Sequence, residues 1–193
     1  MAIDFEAPVA RLLTIATGVR DDQLDDPTPD EGRTVRQLLG HVLGLVVAFR
    51  AAADKELGPL TDTSPDRAGW PDVEDGWREE LPVRGAALVE SWRAPDAWQG
   101  MTRAGGVDLP GEVAGLVALD EVVLHGWDLA RATGQEYDAD PASAEALLPF
   151  VSGFDPGGTP GLFGPALDVS ADSPVFDQVL ARAGRDPRWS PPG

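Results

Sequence analysis

Apolar residues recur at helical spacing along the first two-thirds of this 193-residue chain. Leu38, Val42 and Leu45, for example, lie four and three positions apart, which places them on one face of a helix. The repeat predicts helices over about residues 5–19, 34–55, 73–92, 110–133, 141–151 and 174–183. Residues 58–71 have a looser pattern, and the Gly- and Pro-rich stretch 153–165 is not expected to form regular structure.

Local signals mark several of the predicted helix ends. Thr34 followed by Gln37 matches a capping box, in which each side chain accepts a hydrogen bond from the other residue's backbone amide. Pro110 suits the first turn of the fourth helix, and Gly134 suits the position just past its end. Pro82 must start, kink or split the third helix, because proline lacks the amide that a helix uses.

Long helices and few strands predict an all-α fold, a bundle of three or four long helices. A small hairpin is expected over residues 101–109, around Gly105 and Gly106. We expect a single domain, in which residues 1–152 form the helical bundle and residues 153–193 form a C-terminal loop and short helix packed on it.

The composition restricts the partners. With 33 acidic and 15 basic residues the net charge is −18, which disfavours nucleic acid and anionic membrane surfaces. No stretch approaches the ~18 uninterrupted apolar residues of a membrane span, and the acidic N-terminus does not resemble a secretory signal, so we expect a cytoplasmic protein. The chain has no cysteine, so any thiol would have to arrive with a substrate or cofactor.

The chain has two histidines, His41 and His125, and both lie in apolar helical stretches. Glu121 lies four residues before His125, so the two residues share a helix face and their Cβ atoms are about 6 Å apart. Their side chains can therefore converge on one ion. Together with His41 from another helix, they match the two imidazoles and one carboxylate of catalytic zinc sites that keep one position open. The alternatives are a hydrogen-bonded core histidine and a helix-stabilising Glu–His pair.

Other residues of this helix allow several interpretations. Asp128, about one turn after His125, could bond the outer nitrogen of a histidine ligand, bind the metal directly, or pair with an arginine such as Arg131. Asp120 is expected to face another direction, in a solvated or Arg-paired position. Trp127 is predicted to lie in the core, and the six tryptophans are predicted to be packing anchors rather than a stacking platform.

Two helical motifs resemble a known family. The stretches EVVLHGWDLARATG (121–134) and TVRQLLGHV (34–42) are similar to the ligand-bearing helices of actinobacterial DinB-like metal-binding proteins, which are related to the N-terminal domain of mycothiol-dependent maleylpyruvate isomerase. Residues 163–165 and 184–187 resemble the C-terminal segment of that family, so the resemblance spans nearly the whole chain. It implies a DinB-like four-helix bundle whose metal ligands fall on His41, Glu121 and His125.

The resemblance also implies a chemistry. The expected metal is divalent, zinc first with nickel or iron as alternatives, and the expected function is a thiol-using, mycothiol-type transferase or isomerase acting on a small molecule. The chain has no long second domain after the bundle, so we expect any substrate contact made by such a domain to be missing. A non-catalytic metal or small-ligand binding module and an iron(II) facial-triad oxygenase stay open as alternatives, as does assembly into a homodimer.

Overall fold

Helices dominate the described part of the chain, which comprises residues 3–64 and 69–191 of this computed structural model. Within these residues two short strands form one antiparallel sheet. The elements are α1 (Glu6–Thr17), α2 (Val35–Ala53), α3 (Pro59–Asp62), α4 (Trp77–Arg93), β1 (Met101–Ala104), β2 (Val107–Pro110), α5 (Gly111–Ala132), α6 (Pro141–Val151) and α7 (Val175–Arg182). The prediction of a mostly helical fold with a small hairpin is confirmed.

Local signals determine the ends of several elements. The Thr34 hydroxyl accepts a hydrogen bond from the Gln37 amide at 3.4 Å, and the Gln37 side chain accepts one from the Thr34 amide at 3.3 Å. The predicted capping box therefore starts α2. Gly105 and Gly106 connect β1 to β2 with φ values of 60° and 79°, which suit a two-residue hairpin turn because glycine adopts positive φ readily.

The segment before α4 departs from the prediction. A helix was expected from residue 73, but α4 begins at Trp77, and residues 71–74 belong to no regular element. The Val73 amide instead donates to the carbonyl of Arg36 at 3.1 Å, which ties this loop to α2. Pro82 lies inside α4 without ending it. The four-residue α3 goes beyond the prediction, because so short a segment carries no periodic signal.

Helix α5 is central to the packing. It contacts both α1 and α2, and α4 contacts the same two helices. Every residue of α5 from Val122 to Ala130 is buried, so this part of the helix is enclosed on all sides. Any polar side chain in this stretch therefore needs a partner inside the protein.

Helix α2 is unusually apolar. Its mean hydropathy reaches 1.3 over Val35–Ala53, and among the described helices it alone has the length and composition to cross a membrane. Half of that stretch is buried inside the structure, where α2 packs on α4 and α5. The burial accounts for the composition, because an enclosed core helix has an equally apolar sequence.

The C-terminal segment packs back on the rest of the chain. Helix α6 contacts both α5 and α7. Residues 153–165 contain turns and one isolated bridge between Thr159 and Phe163, which agrees with the irregular structure predicted there. The expected division of the chain at residue 152 stays a prediction.

Candidate metal site

His41 on α2 meets Glu121 and His125 on α5. The Glu121 Oε2 atom lies 2.9 Å from His125 Nε2 and 4.0 Å from His41 Nε2. One ligand atom from each of the three residues lies within 4.8 Å of the other two. Zinc holds nitrogen and oxygen ligands at about 2.0–2.2 Å, so the ligand atoms of a tetrahedral site are ~3.4 Å apart. The observed spacing is close to what a small divalent ion requires.

Polar contacts hold the His125 ring on both nitrogens. While Nε2 faces Glu121, Nδ1 lies 3.0 Å from Asp128 Oδ2 and 3.5 Å from Asp30 Oδ2. Asp128 is fully buried and accepts hydrogen bonds from two nitrogens of Arg185, from Nε to Oδ1 at 2.9 Å and to Oδ2 at 3.2 Å, and from Nη2 to Oδ2 at 2.8 Å. The contacts run from a guanidinium through a carboxylate to the outer nitrogen of His125. Such a carboxylate commonly orients a histidine that binds metal.

His41 is held in a different way. Its ring makes no hydrogen bond to any described residue and stacks on Trp70, with the ring centroids 4.0 Å apart and the planes 18° apart. Trp70 also meets His125 edge-on at 5.7 Å, and the Arg33 guanidinium lies over Trp70 at 5.1 Å. Trp70 therefore does more than anchor the packing, the role expected of the tryptophans, since it stacks on one candidate ligand and touches another.

The site shifts the pKa values of its own groups. Burial opposes a charge on His125, but hydrogen bonds with Asp128 and Glu121 outweigh it and raise the pKa of His125 to about 10. Burial, reinforced by the neighbouring His125, lowers the pKa of His41 to about 4. Burial likewise opposes a charge on Asp128, but Arg185 and His125 hold its pKa at about 2. Without a metal the His125 ring is therefore protonated on both nitrogens at neutral pH, and a metal ion would have to displace the proton on Nε2.

Acids outnumber bases in this cluster. Asp30, Asp120, Glu121 and Asp128 lie around a single guanidinium, that of Arg185. Within the described residues, Asp30 Oδ2 and Asp120 Oδ1 are buried without a hydrogen-bond partner. Burial, with repulsion from Glu121, raises the pKa of Asp120 to about 8. With this pKa Asp120 is mostly protonated at neutral pH, whereas the pKa of Glu121 is lowered, despite its burial, by the hydrogen bond with His125 and by the charge of the two histidines. Glu121 therefore supplies the charged oxygen beside His41 and His125.

Two sequence expectations need correction. Asp120 is neither solvated nor in an ion pair with an arginine among the described residues: it is only 5% exposed, and its Oδ1 atom is buried without a hydrogen-bond partner there. Asp128 forms the hydrogen bond with His125 that was one of its three alternatives, but the arginine that pairs with it is Arg185 and not Arg131, whose Nε donates to the carbonyl of Trp189 at 2.8 Å. Trp127 lies in the core, as predicted.

Sequence reasoning did not single out Asp30, Trp70 or Arg185 for the site. A signal existed for Arg185 alone, because a carboxylate predicted near a buried histidine implies a cation, and residue 185 belongs to the motif 184–187 of the family resemblance. Asp30 and Trp70 lie in loops with no periodic pattern, so their side chains could not be assigned to a face.

Fold and site together define a mostly helical protein with a buried histidine–carboxylate cluster between two helices. The family model of the mycothiol maleylpyruvate isomerase N-terminal domain matches residues 5–130, and the chain belongs to this family. The matched range contains His41, Glu121 and His125, and it ends two residues after Asp128.

Relatives and solved structures agree with this membership. Two uncharacterized proteins of Mycobacterium tuberculosis, from strains CDC 1551 and H37Rv, are each 29% identical over 181 residues, which cover 90% of this chain and 91% of theirs. Two crystal structures of mycothiol-dependent maleylpyruvate isomerase, one of them of a mutant, have TM-scores of 0.59 and 0.56 at 20% identity. The similar region covers 76% of this chain but 66% of the isomerase chain, just under two thirds of its length, and shows a shared fold.

Proposed function

We propose that this protein binds one divalent metal ion, zinc in the first place, through His41, Glu121 and His125, and uses it in a thiol-dependent reaction on a small molecule in the cytoplasm. The proposal is carried by one observation, the convergence of these three ligand atoms to within 4.8 Å in a largely buried position. The four long helices α1, α2, α4 and α5 would serve as the DinB-like bundle that holds the ligands.

A second group of possible ligands, Asp30, His125 and Asp128, has equally close ligand atoms. It would use the opposite nitrogen of His125 and so compete with the hydrogen bond to Asp128. Arg185 Nη2 lies 2.8 Å from Asp128 and 3.5 Å from Asp30, and this cation would repel a metal ion bound by the same oxygens. These contacts favour the site that includes His41 and Glu121.

An exchangeable coordination position would distinguish an enzyme from a closed structural site. Asp128, the further acid next to His125, is committed to the outer nitrogen of His125 and to Arg185, so it does not supply a fourth ligand. This arrangement supports a site with three protein ligands and one open position.

A thiol is the reactant that the family favours. The related isomerase is mycothiol-dependent, and this chain has no cysteine of its own. A bound divalent ion would lower the pKa of a thiol or water placed beside it, which supplies a nucleophile at neutral pH. Arg185 keeps Asp128 ionised, and Asp128 orients His125, so these residues would keep the His125 ring in its ligating orientation. We therefore propose a mycothiol-type transferase or isomerase.

Metal affinity tests the ligand assignment. We expect protein purified without added metal to contain about one equivalent of a divalent ion, and chelator competition to give its affinity. Glu121→Gln keeps the shape of the side chain but removes its charge, and should weaken binding by more than the ~10- to 100-fold that losing the partner of a ligand costs. Glu79→Gln, in the exposed first turn of α4, is the matched control and should bind like the wild type. Full metal occupancy in Glu121→Gln would contradict the assignment.

A spectroscopic titration tests the thiol. Protein loaded with Co²⁺ should gain a thiolate-to-metal absorption band when mycothiol is added, and the band should saturate at one equivalent. An unchanged spectrum would favour the non-catalytic binding module. Iron as the metal in the purified protein, with oxygen-dependent turnover, would favour the facial-triad oxygenase instead.

A further inference from the structure

The two candidate histidine ligands differ in how their rings are fixed. His125 contacts Glu121 through one nitrogen and Asp128 through the other, so its orientation is determined by hydrogen bonds. His41 has no hydrogen bond within the described residues, and its closest acid, Glu121, is 4.0 Å away. A histidine ring rotates easily about its Cβ–Cγ bond, because torsions of this kind have broad preferences. Some other contact must therefore hold the His41 ring.

Trp70 provides that contact. Its indole stacks on the His41 ring, with a centroid distance of 4.0 Å and an angle of 18° between the planes. Rotation of the imidazole about Cβ–Cγ would drive its edge into the indole. The Arg33 guanidinium lies over Trp70 at 5.1 Å, a favourable cation–π contact that supports the indole in turn.

The loop that carries Trp70 is fitted to the helix that carries His41. The Val73 amide donates to the Arg36 carbonyl of α2 at 3.1 Å. The carbonyl of Pro71 lies so close to Gly40 that a Cβ atom at this position would collide with it. Glycine next to His41 therefore lets the loop come close enough to place the indole on the imidazole.

We infer that Trp70 is a positioning residue of the proposed metal site, which holds the His41 imidazole in its ligating orientation by stacking, and that Gly40 is required for this contact. The inference rests on the proposed function. Trp70 orients His41 by stacking, as Asp128 orients His125 by a hydrogen bond.

Two substitutions of Trp70 distinguish the effect of a flat aromatic ring from the effect of an apolar side chain of any shape. Trp70→Phe retains a flat ring and should bind Zn²⁺ with an affinity within about threefold of the wild type, because aromatic rings stack in the same geometry. Trp70→Leu fills space without a flat face and should weaken Zn²⁺ binding about tenfold or more, as loss of a ligand's orienting partner does. The Co²⁺ absorption spectrum should change in the Leu variant alone, a change that a purely structural role would not produce.

Gly40→Ala tests the same contact without altering the indole. It should displace the loop and reproduce the loss of affinity of Trp70→Leu, whereas Gly44→Ala, on an open face of the same helix, should bind like the wild type. Wild-type affinity and an unchanged Co²⁺ spectrum in Trp70→Leu would overturn the inference and leave the proposed function standing. A wild-type protein that binds neither Zn²⁺ nor Co²⁺ would overturn both. Circular dichroism confirms that each variant remains folded.

Discussion

Removing the Arg185 guanidinium should destabilise the protein far more than removing that of its neighbour Arg188. The Arg185 side chain is 10% exposed and donates hydrogen bonds from Nε and Nη2 to Asp128, which is fully buried. Breaking such a pair leaves a buried carboxylate with only the His125 ring to balance its charge, and removing one partner of a buried pair costs about 3–5 kcal/mol. The Arg188 side chain is 91% exposed beside Asp186, and pairs of this kind contribute little to stability.

Urea unfolding of metal-free Arg185→Met at pH 7, followed by circular dichroism, measures this loss. A cost of about 4 kcal/mol is a large part of the ~5–15 kcal/mol that stabilises a typical domain. In a chain of this size each kcal/mol lowers the melting temperature by about 2–4 °C, so thermal unfolding should shift by roughly 6–20 °C. Arg188→Met should unfold like the wild type.

A double substitution shows whether the stability lost in Arg185→Met is due to the Asp128 carboxylate that has lost its arginine partner. Asp128→Asn combined with Arg185→Met removes both charges, so part of the stability lost in Arg185→Met should return. A loss below about 1 kcal/mol in Arg185→Met would refute the reasoning. Strictly additive losses in the double variant would refute it as well, because they would show that the two side chains are not coupled.

Three further predictions concern pH and local packing. The pKa of His125 is raised to about 10, so the stability that its protonated ring contributes is fully present below pH 6.5 and is lost as the pH rises through 10. In urea unfolding, the free energy of unfolding of the metal-free protein should therefore fall between pH 7 and 10. The free energy of unfolding of His125→Gln should fall less over the same range. Gly44 lies on an exposed face of α2, so Gly44→Ala should stabilise the protein by up to ~1 kcal/mol. In Gly115→Ala the added Cβ atom would collide with the Trp98 indole, which should destabilise the protein by ~1–3 kcal/mol. Thermal unfolding measures both changes. Thr34→Ala removes the cap of α2 and should cost ~1 kcal/mol in the same assay, while Thr34→Ser should not.

The features that local rules determine could be predicted from the sequence. Helical periodicity identified the long helices, and the Thr34–Gln37 capping box marked the start of α2. The four-residue spacing of Glu121 and His125 fixed their common helix face, because helix geometry leaves no other arrangement. The approach of His41 to this pair was a hypothesis that the family resemblance supported, and the two histidine rings lie with their centroids 5.1 Å apart.

The features that depend on the path of the chain could not be predicted. Arg131 was one of the expected partners of Asp128, but the arginine that pairs with it is Arg185, which is 57 residues away and follows the helix α7 that packs on α6. Asp120 was assigned to a solvated or Arg-paired position by an argument that assumes one polar helix face. That assumption fails for the middle of α5, where Asp120 and every residue from Val122 to Ala130 are buried.

The C-terminal segment completes the candidate site in this protein. The family match ends at residue 130, yet Arg185, the cation that keeps Asp128 ionised, lies far beyond that end. The orientation of His125 therefore depends on two segments that meet only in the folded chain. An ion that binds His125 should therefore also stabilise the packing of the C-terminal segment, because a ligand that binds only the folded state stabilises the contacts on which its site depends. The M. tuberculosis relatives align over 90% of this chain, so the same coupling can be tested in them.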